Sequence, residues 1–188
     1  PHTELEQHPI SASLFKPDMN QADYTRYLQI MLGVMSGFER DGYPVLTSLI
    51  EDIDQRRKSP WLMQDLTALN HSVPITPVAV NGSALSPHYL LGRMYVLEGS
   101  TLGGAVIYRQ LQPVLHFTPE HGGRYFYGYG PETGKMWKRF TEILSTEAVE
   151  KNGESEILKG AIDQFVAMKT YFDQQLSLFV AHDCPQYR

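Results

Sequence analysis

Between Tyr24 and Phe38 the apolar residues Tyr24, Tyr27, Leu28, Met31, Leu32, Met35 and Phe38 recur at three- and four-residue intervals, the spacing of one stripe on a helix. Asn20 stands where an N-cap is needed, so the pattern predicts a helix with one buried face over 20–38. Ser59-Pro60 supplies a cap and a first-turn proline for a shorter helix carrying Leu62, Leu66 and Leu69. Ser86-Pro87 repeats that signal ahead of a long helix over 87–112. Its apolar surface is Leu90, Leu91, Met94, Tyr95, Leu97, Leu102 and Val106, and Pro113 is its stop. Another helix is predicted from Pro131, presenting Trp137, Phe140, Ile143 and Leu144. A last one runs from Glu154 through Ile157, Ile162, Phe165, Met168, Phe172, Leu176 and Phe179. Strand alternation is weak throughout, and the Pro-, Gly- and Asn-rich stretches 70–85 and 113–130 read as loops. The expected fold class is all-α, one domain over 1–188.

The long helix carries an anomaly, "LEGSTLGGA" at 97–105. Gly99, Gly103 and Gly104 sit in its interior, where each glycine costs about 1 kcal/mol relative to alanine. Gly99 and Gly103 are one turn apart on one face. Either another helix crosses there closely, or something flat and bulky lies against the bare backbone.

Composition narrows the classes. Of 188 residues 42% are hydrophobic and 20% charged, with no apolar run near the roughly 18 residues of a membrane span. A net charge of −5 argues against bulk attraction to nucleic acid phosphates. Cys184 is the only cysteine, which leaves no disulfide framework or thiolate metal site and suits the cytoplasm. The chain begins Pro1-His2 with neither an initiator methionine nor a signal-like segment, so residues are expected to precede it.

Two further groups could carry chemistry. On a helix, Glu6 would lie one turn from His2 and could hold one ring N–H, orienting the other nitrogen as a metal ligand. A frayed terminal histidine in water is the plainer alternative. The aromatic run at 124–130 and Trp137-Lys138-Arg139-Phe140 could wall an apolar pocket with a base to pair an anion, or simply be core beside a solvated basic face.

Taken together, "HTELE" at 2–6, "YTRYL" at 24–28, "RRKSPWLMQDLTAL" at 56–69, "LGRMYVLEGSTLGGAVI" at 91–107 and "RYFYGYGPETGKMWKRF" at 124–140 resemble the bacterial biliverdin-producing haem oxygenases, above all the phytochrome-associated branch. The resemblance spans most of the chain in the family's order.

The resemblance implies an all-α domain in which haem is sandwiched between a proximal helix and a kinked, glycine-rich distal helix. It makes His2 the proximal iron ligand and Glu6 its hydrogen-bonding partner. Gly99 and Gly103 become the distal glycines and Gly104 a third family glycine. Ser100 stands where some members carry an aspartate, and becomes a candidate to anchor distal water. Tyr95 matches a position that contacts a haem propionate, and Lys138 and Arg139 fall near the helix that supplies basic propionate partners, although Glu142 replaces a base one turn on. Family members also carry a longer segment before the ligand histidine. The implied reaction consumes haem, at once cofactor and substrate, with O2 and electrons from a ferredoxin, a reductase or a small reductant. Its products are biliverdin, carbon monoxide and ferrous iron, and a phytochrome apoprotein is an implied recipient of the biliverdin. A non-catalytic haem or tetrapyrrole binder, and different chemistry on a haem-free version of the scaffold, are the competing readings.

Overall fold

Where the sequence is periodic, helices form. Among the described residues they are α1 (His2–Glu6), α2 (Pro9–Ala12), α3 (Gln21–Asp41), α4 (Tyr43–Leu46), α5 (Ser59–Ala68), α6 (Pro87–Leu115), α7 (Arg124–Tyr127), α8 (Thr133–Val149) and α9 (Glu154–His182), with short 3-10 turns between them. The computed structural model describes residues 2–71, 77–80, 82–149 and 151–182, and their side chains except at 2, 83 and 179–182. Two isolated bridges join Thr118 to His121 and Gly122, and no strand occurs among the described residues. The all-α expectation holds. None of these helices is long and apolar enough to cross a membrane. Part of the predicted loop 70–85, namely 72–76 and 81, lies outside the described residues, as does Cys184.

Two of the predicted caps form as expected. Asn20 accepts from the amides of Ala22 and Asp23 at 2.9 and 3.2 Å, and the Ser86 hydroxyl accepts from that of Tyr89 at 3.1 Å. The start of α5 differs. Ser59 is inside the helix and its hydroxyl donates to Glu39, while the amides of Lys58 and Ser59 donate to Glu39 Oε1 at 2.5 and 2.9 Å. A carboxylate brought in from α3 satisfies the free amides and opposes the positive end of the helix dipole, which makes a local serine cap unnecessary. Helix α6 also runs past Pro113. It ends where His116, at φ 53°, turns left-handed and its amide donates to the Gln112 carbonyl at 2.8 Å. The segment 113–130 therefore contains the last turn of α6 and the whole of α7.

The core is organised on α6 against α9. Their close approach occurs at Gly92 and Gly160, where an added Cβ would lie 1.9 Å from the carbonyl oxygens of Ile157 and Tyr89 respectively. Buried Arg93 Nε donates to Gln164 Oε1 at 2.7 Å and the Tyr89 hydroxyl to Asp163 at 2.8 Å, fixing the register of the pair. Helix α3 buries Tyr24, Leu28, Met31, Leu32, Met35 and Phe38 of its predicted stripe in the same core, with Tyr27 partly buried. Not every apolar position follows suit, for Leu102, Val106 and Ile162 are 41, 55 and 45% exposed. The short N-terminal helices are pinned to α9 by buried His8. Its Nδ1 accepts from the Ile10 amide at 3.2 Å, which leaves Nε2 to donate to Asp173 Oδ1 at 3.1 Å.

Candidate functional site

A cavity of about 660 Å³ opens between the N-terminal helices, α3, α6, α8 and α9. That size is within the roughly 300–1,000 Å³ of small-molecule and cofactor sites. Leu14 and Phe15 come from the 3-10 turn Ser13–Phe15, Tyr27 and Met31 from α3, Trp137 from α8, and Phe165, Met168 and Phe172 from α9. Glu6, Ser11, Tyr95 and Ser100 are among its few polar lining groups.

The glycine cluster divides between two tasks. Gly99 and Gly103 line the cavity. A Cβ at Gly103 would meet nothing within 4 Å, and one at Gly99 would meet only the Trp137 ring, at 3.6 Å. No neighbouring helix demands a glycine at 103; the bare backbone faces open space. Gly104 is different, since a Cβ there would lie 3.1 Å from the Phe126 carbonyl, so its missing side chain admits α7. The close helix crossing considered for this cluster exists, but at Gly92 and Gly160.

The remaining candidates are distributed unevenly around this space. Ser100 lines the cavity, and its hydroxyl donates to the Leu97 carbonyl at 2.7 Å. Tyr95 lines it with its ring centroid 5.6 Å from that of Trp137. His2 and Glu6 share helix α1, and Glu6 lines the cavity. The His2 side chain lies outside the described residues. Lys138 and Arg139 are not among the lining residues: Lys138 pairs with Glu142 at 3.8 Å and Arg139 with Asp52 at 3.4 Å, both from exposed positions.

The heme oxygenase family model matches residues 1–174. The chain belongs to the heme oxygenase family. It is 31% identical to heme oxygenase PigA of Pseudomonas aeruginosa over 176 residues, 88% of this chain and 82% of that protein. To a heme oxygenase of Xanthomonas campestris it is 32% identical over 151 residues, 78% of this chain and 87% of the other. Its fold matches that of the NO- and CO-bound heme oxygenase from Neisseria meningitidis with a TM-score of 0.77 at 20% identity, covering 93% of this chain and 87% of that one. Heme oxygenases are haem-binding enzymes in which haem is also the substrate, and the residues here fit the group. The cavity is mostly apolar, walled by aromatics, and bare of side chains on the α6 side at Gly99 and Gly103, where a flat macrocycle can come close to the backbone.

Behind that bare face lies a set of charges the sequence reading did not single out as a group. Arg56, wholly buried, donates from Nε and Nη2 to Asp52 at 2.9 and 3.0 Å, from Nη1 to Glu98 Oε2 at 3.0 Å, and to the Met136 carbonyl. Lys58 pairs with Glu98 Oε1, and the Tyr129 hydroxyl donates to the same carboxylate at 3.0 Å. Burial alone would raise the Asp52 carboxyl, but the hydrogen bonds and charge of Arg56, with the charge of Arg139, hold it below its ordinary value. Burial and the Glu98 charge push the Tyr129 phenol far above its ordinary range. The network ties the 3-10 turn Ile53–Arg56, α6 and α8 together immediately beside Gly99. Its only trace in the sequence is Glu98, an acid inside an otherwise apolar helical stretch, and the charges of 56–58 just before a helix start.

Proposed function

We propose that haem occupies the 660 Å³ cavity with Gly99 and Gly103 across one face and His2 on the other, and is cleaved there to biliverdin, carbon monoxide and ferrous iron. The observation that carries this reading is Gly103, a helix-interior glycine whose bare side opens onto the cavity. Haem, when bound, supplies the iron that activates O2 and the ring that is opened. The chain's own residues bind, orient and shield. Glycines at 99 and 103 let main chain approach where any side chain would stand off. Phe165, Met168, Phe172 and Trp137 line the cavity and exclude bulk water from it. Ser100 is the polar group there that can hold an ordered water, and Glu6 the group that orients the His2 imidazole. For the propionates, Tyr95 lines the cavity, and Lys138 is held by only a long, exposed ion pair, so it can swing to a ligand at small cost; Arg139 is engaged by Asp52.

Electrons come from a ferredoxin or a flavoprotein reductase, and biliverdin passes to a phytochrome apoprotein; the lone Cys184 suits the reducing cytoplasm. The deciding experiment adds haem and a reductant under air and follows the Soret band. Its loss, with biliverdin absorption and released carbon monoxide, is expected. A Soret band that forms and persists would make the chain a haem binder, and none at all would remove haem from the account.

A further inference from the structure

Thr101 Oγ1 is the one buried side-chain polar atom among the described residues with no hydrogen-bond partner. Threonines inside helices ordinarily satisfy the hydroxyl on the carbonyl three or four residues back, as Thr25 does here on Ala22 and Gln21. Thr101 makes neither bond, and the Leu97 carbonyl, four residues back, already takes the Ser100 hydroxyl. Its methyl lies against Gly128, where an added Cβ would be 2.7 Å away.

Thr101 borders a small chamber of about 10 Å³, whose other walls are Lys58, Ser100, Gly104, Tyr125 and Phe126. That volume is at the threshold for holding one water, roughly 10–15 Å³, provided two to four polar partners converge on it. Lys58, Ser100, Thr101 and Tyr125 are the residues of its wall with polar side chains. Apart from Glu98, the Lys58 ammonium makes only long contacts, 3.4 Å to the Arg56 carbonyl and 3.4 Å to the Tyr129 hydroxyl, with which a nearer acceptor can compete. Ser100 and Tyr125 border both this chamber and the large cavity. Burial pushes the Tyr125 phenol well up, while the Ser100 hydroxyl acts in the opposite direction.

We infer that the chamber binds a single water, held by Thr101 Oγ1 and the Lys58 ammonium, which in turn hydrogen-bonds Ser100 or Tyr125; Thr101 is thereby a positioning residue for the polar groups shared by the chamber and the cavity. A buried hydroxyl left without a partner is costly, and a bound water would relieve that cost. The part concerning the cavity rests on the haem reading, whereas the water itself does not.

The test is a high-resolution crystal structure of the haem-free protein and of Thr101→Val, which keeps the shape and removes the hydroxyl. An ordered water about 2.7–3.2 Å from Thr101 Oγ1 is expected in the first and not in the second. In haem-loaded, reduced protein under carbon monoxide, the C–O stretch should shift in Thr101→Val and return to the wild-type frequency in Thr101→Ser. An empty chamber in the parent crystal overturns the water site. A C–O stretch identical in all three proteins overturns the positioning role. Should haem fail to bind, the haem reading falls while the crystals still decide the water.

Discussion

Arg56 Nη1 donates to Glu98 Oε2 at 3.0 Å, joining residues 42 apart in sequence in a wholly buried ion pair directly behind Gly99. Such pairs contribute little net stability when intact but are costly to break, because the survivor is left charged in a dry interior. Glu98→Leu leaves buried Lys58 without its carboxylate and Arg56 with Asp52 alone, so it should lose about 3–5 kcal/mol of stability. Urea unfolding followed by circular dichroism checks this as a lowered midpoint with little change of slope.

The glycines of α6 should respond in opposite ways. Gly103→Ala meets no neighbour within 4 Å and gains helix propensity, so the haem-free protein should become more stable by about 0.5–1 kcal/mol. Gly103→Leu should fold but fill the cavity and abolish the haem Soret band in a titration. Gly92→Ala, whose Cβ would lie 1.9 Å from the Ile157 carbonyl, should force α6 and α9 apart and lower the melting temperature markedly. Turnover of haem by Gly103→Leu at the parent rate would refute the assignment of this face.

Asp65, wholly buried, accepts from the amides of Arg124 and Tyr125 at 2.8 Å each, yet burial raises its pKa to about 6. Because the folded carboxyl holds its proton more tightly than the unfolded one, this group's contribution falls as pH rises from about 4 to about 6 and is constant above. A carboxyl-selective NMR titration should find one aspartate titrating near 6, and Asp65→Asn should remove that part of the pH dependence of the unfolding free energy.

His8→Ala removes both the cap on α2 and the bond to Asp173 of α9. A loss of about 1–2 kcal/mol is expected, and amide exchange should accelerate in α1 and α2 while that of α6 is unchanged. Since α1 carries His2 and Glu6, haem affinity should fall as well, measurable by Soret titration.

How much of this was legible beforehand differs from element to element. The stripe of α3, the caps at Asn20 and Ser86, and the extent of α9 follow from spacing and capping chemistry, which act within a few residues. Ser59 as a cap did not survive, because Glu39, twenty residues earlier, reaches the same amides first. Leu102 and Val106 have helical spacing, but periodicity names the apolar side of a helix without naming what that side faces.

The sequence by itself determined that the chain is all-α, where α3, α6 and α9 begin, and that residues 99–104 tolerate costly glycines, whereas the helix expected from Pro131 begins at Thr133, after a 3-10 turn over Gly130–Glu132. Only the tertiary structure decided that Gly99 and Gly103 border a cavity while Gly104 admits α7, that the helix crossing is elsewhere, and that Arg56, Lys58 and Glu98 form a buried set. The reason is one of range. Hydrogen-bond spacing and capping are settled by neighbours along the chain, whereas empty space and charge pairing depend on segments 40 or more residues apart being folded against one another.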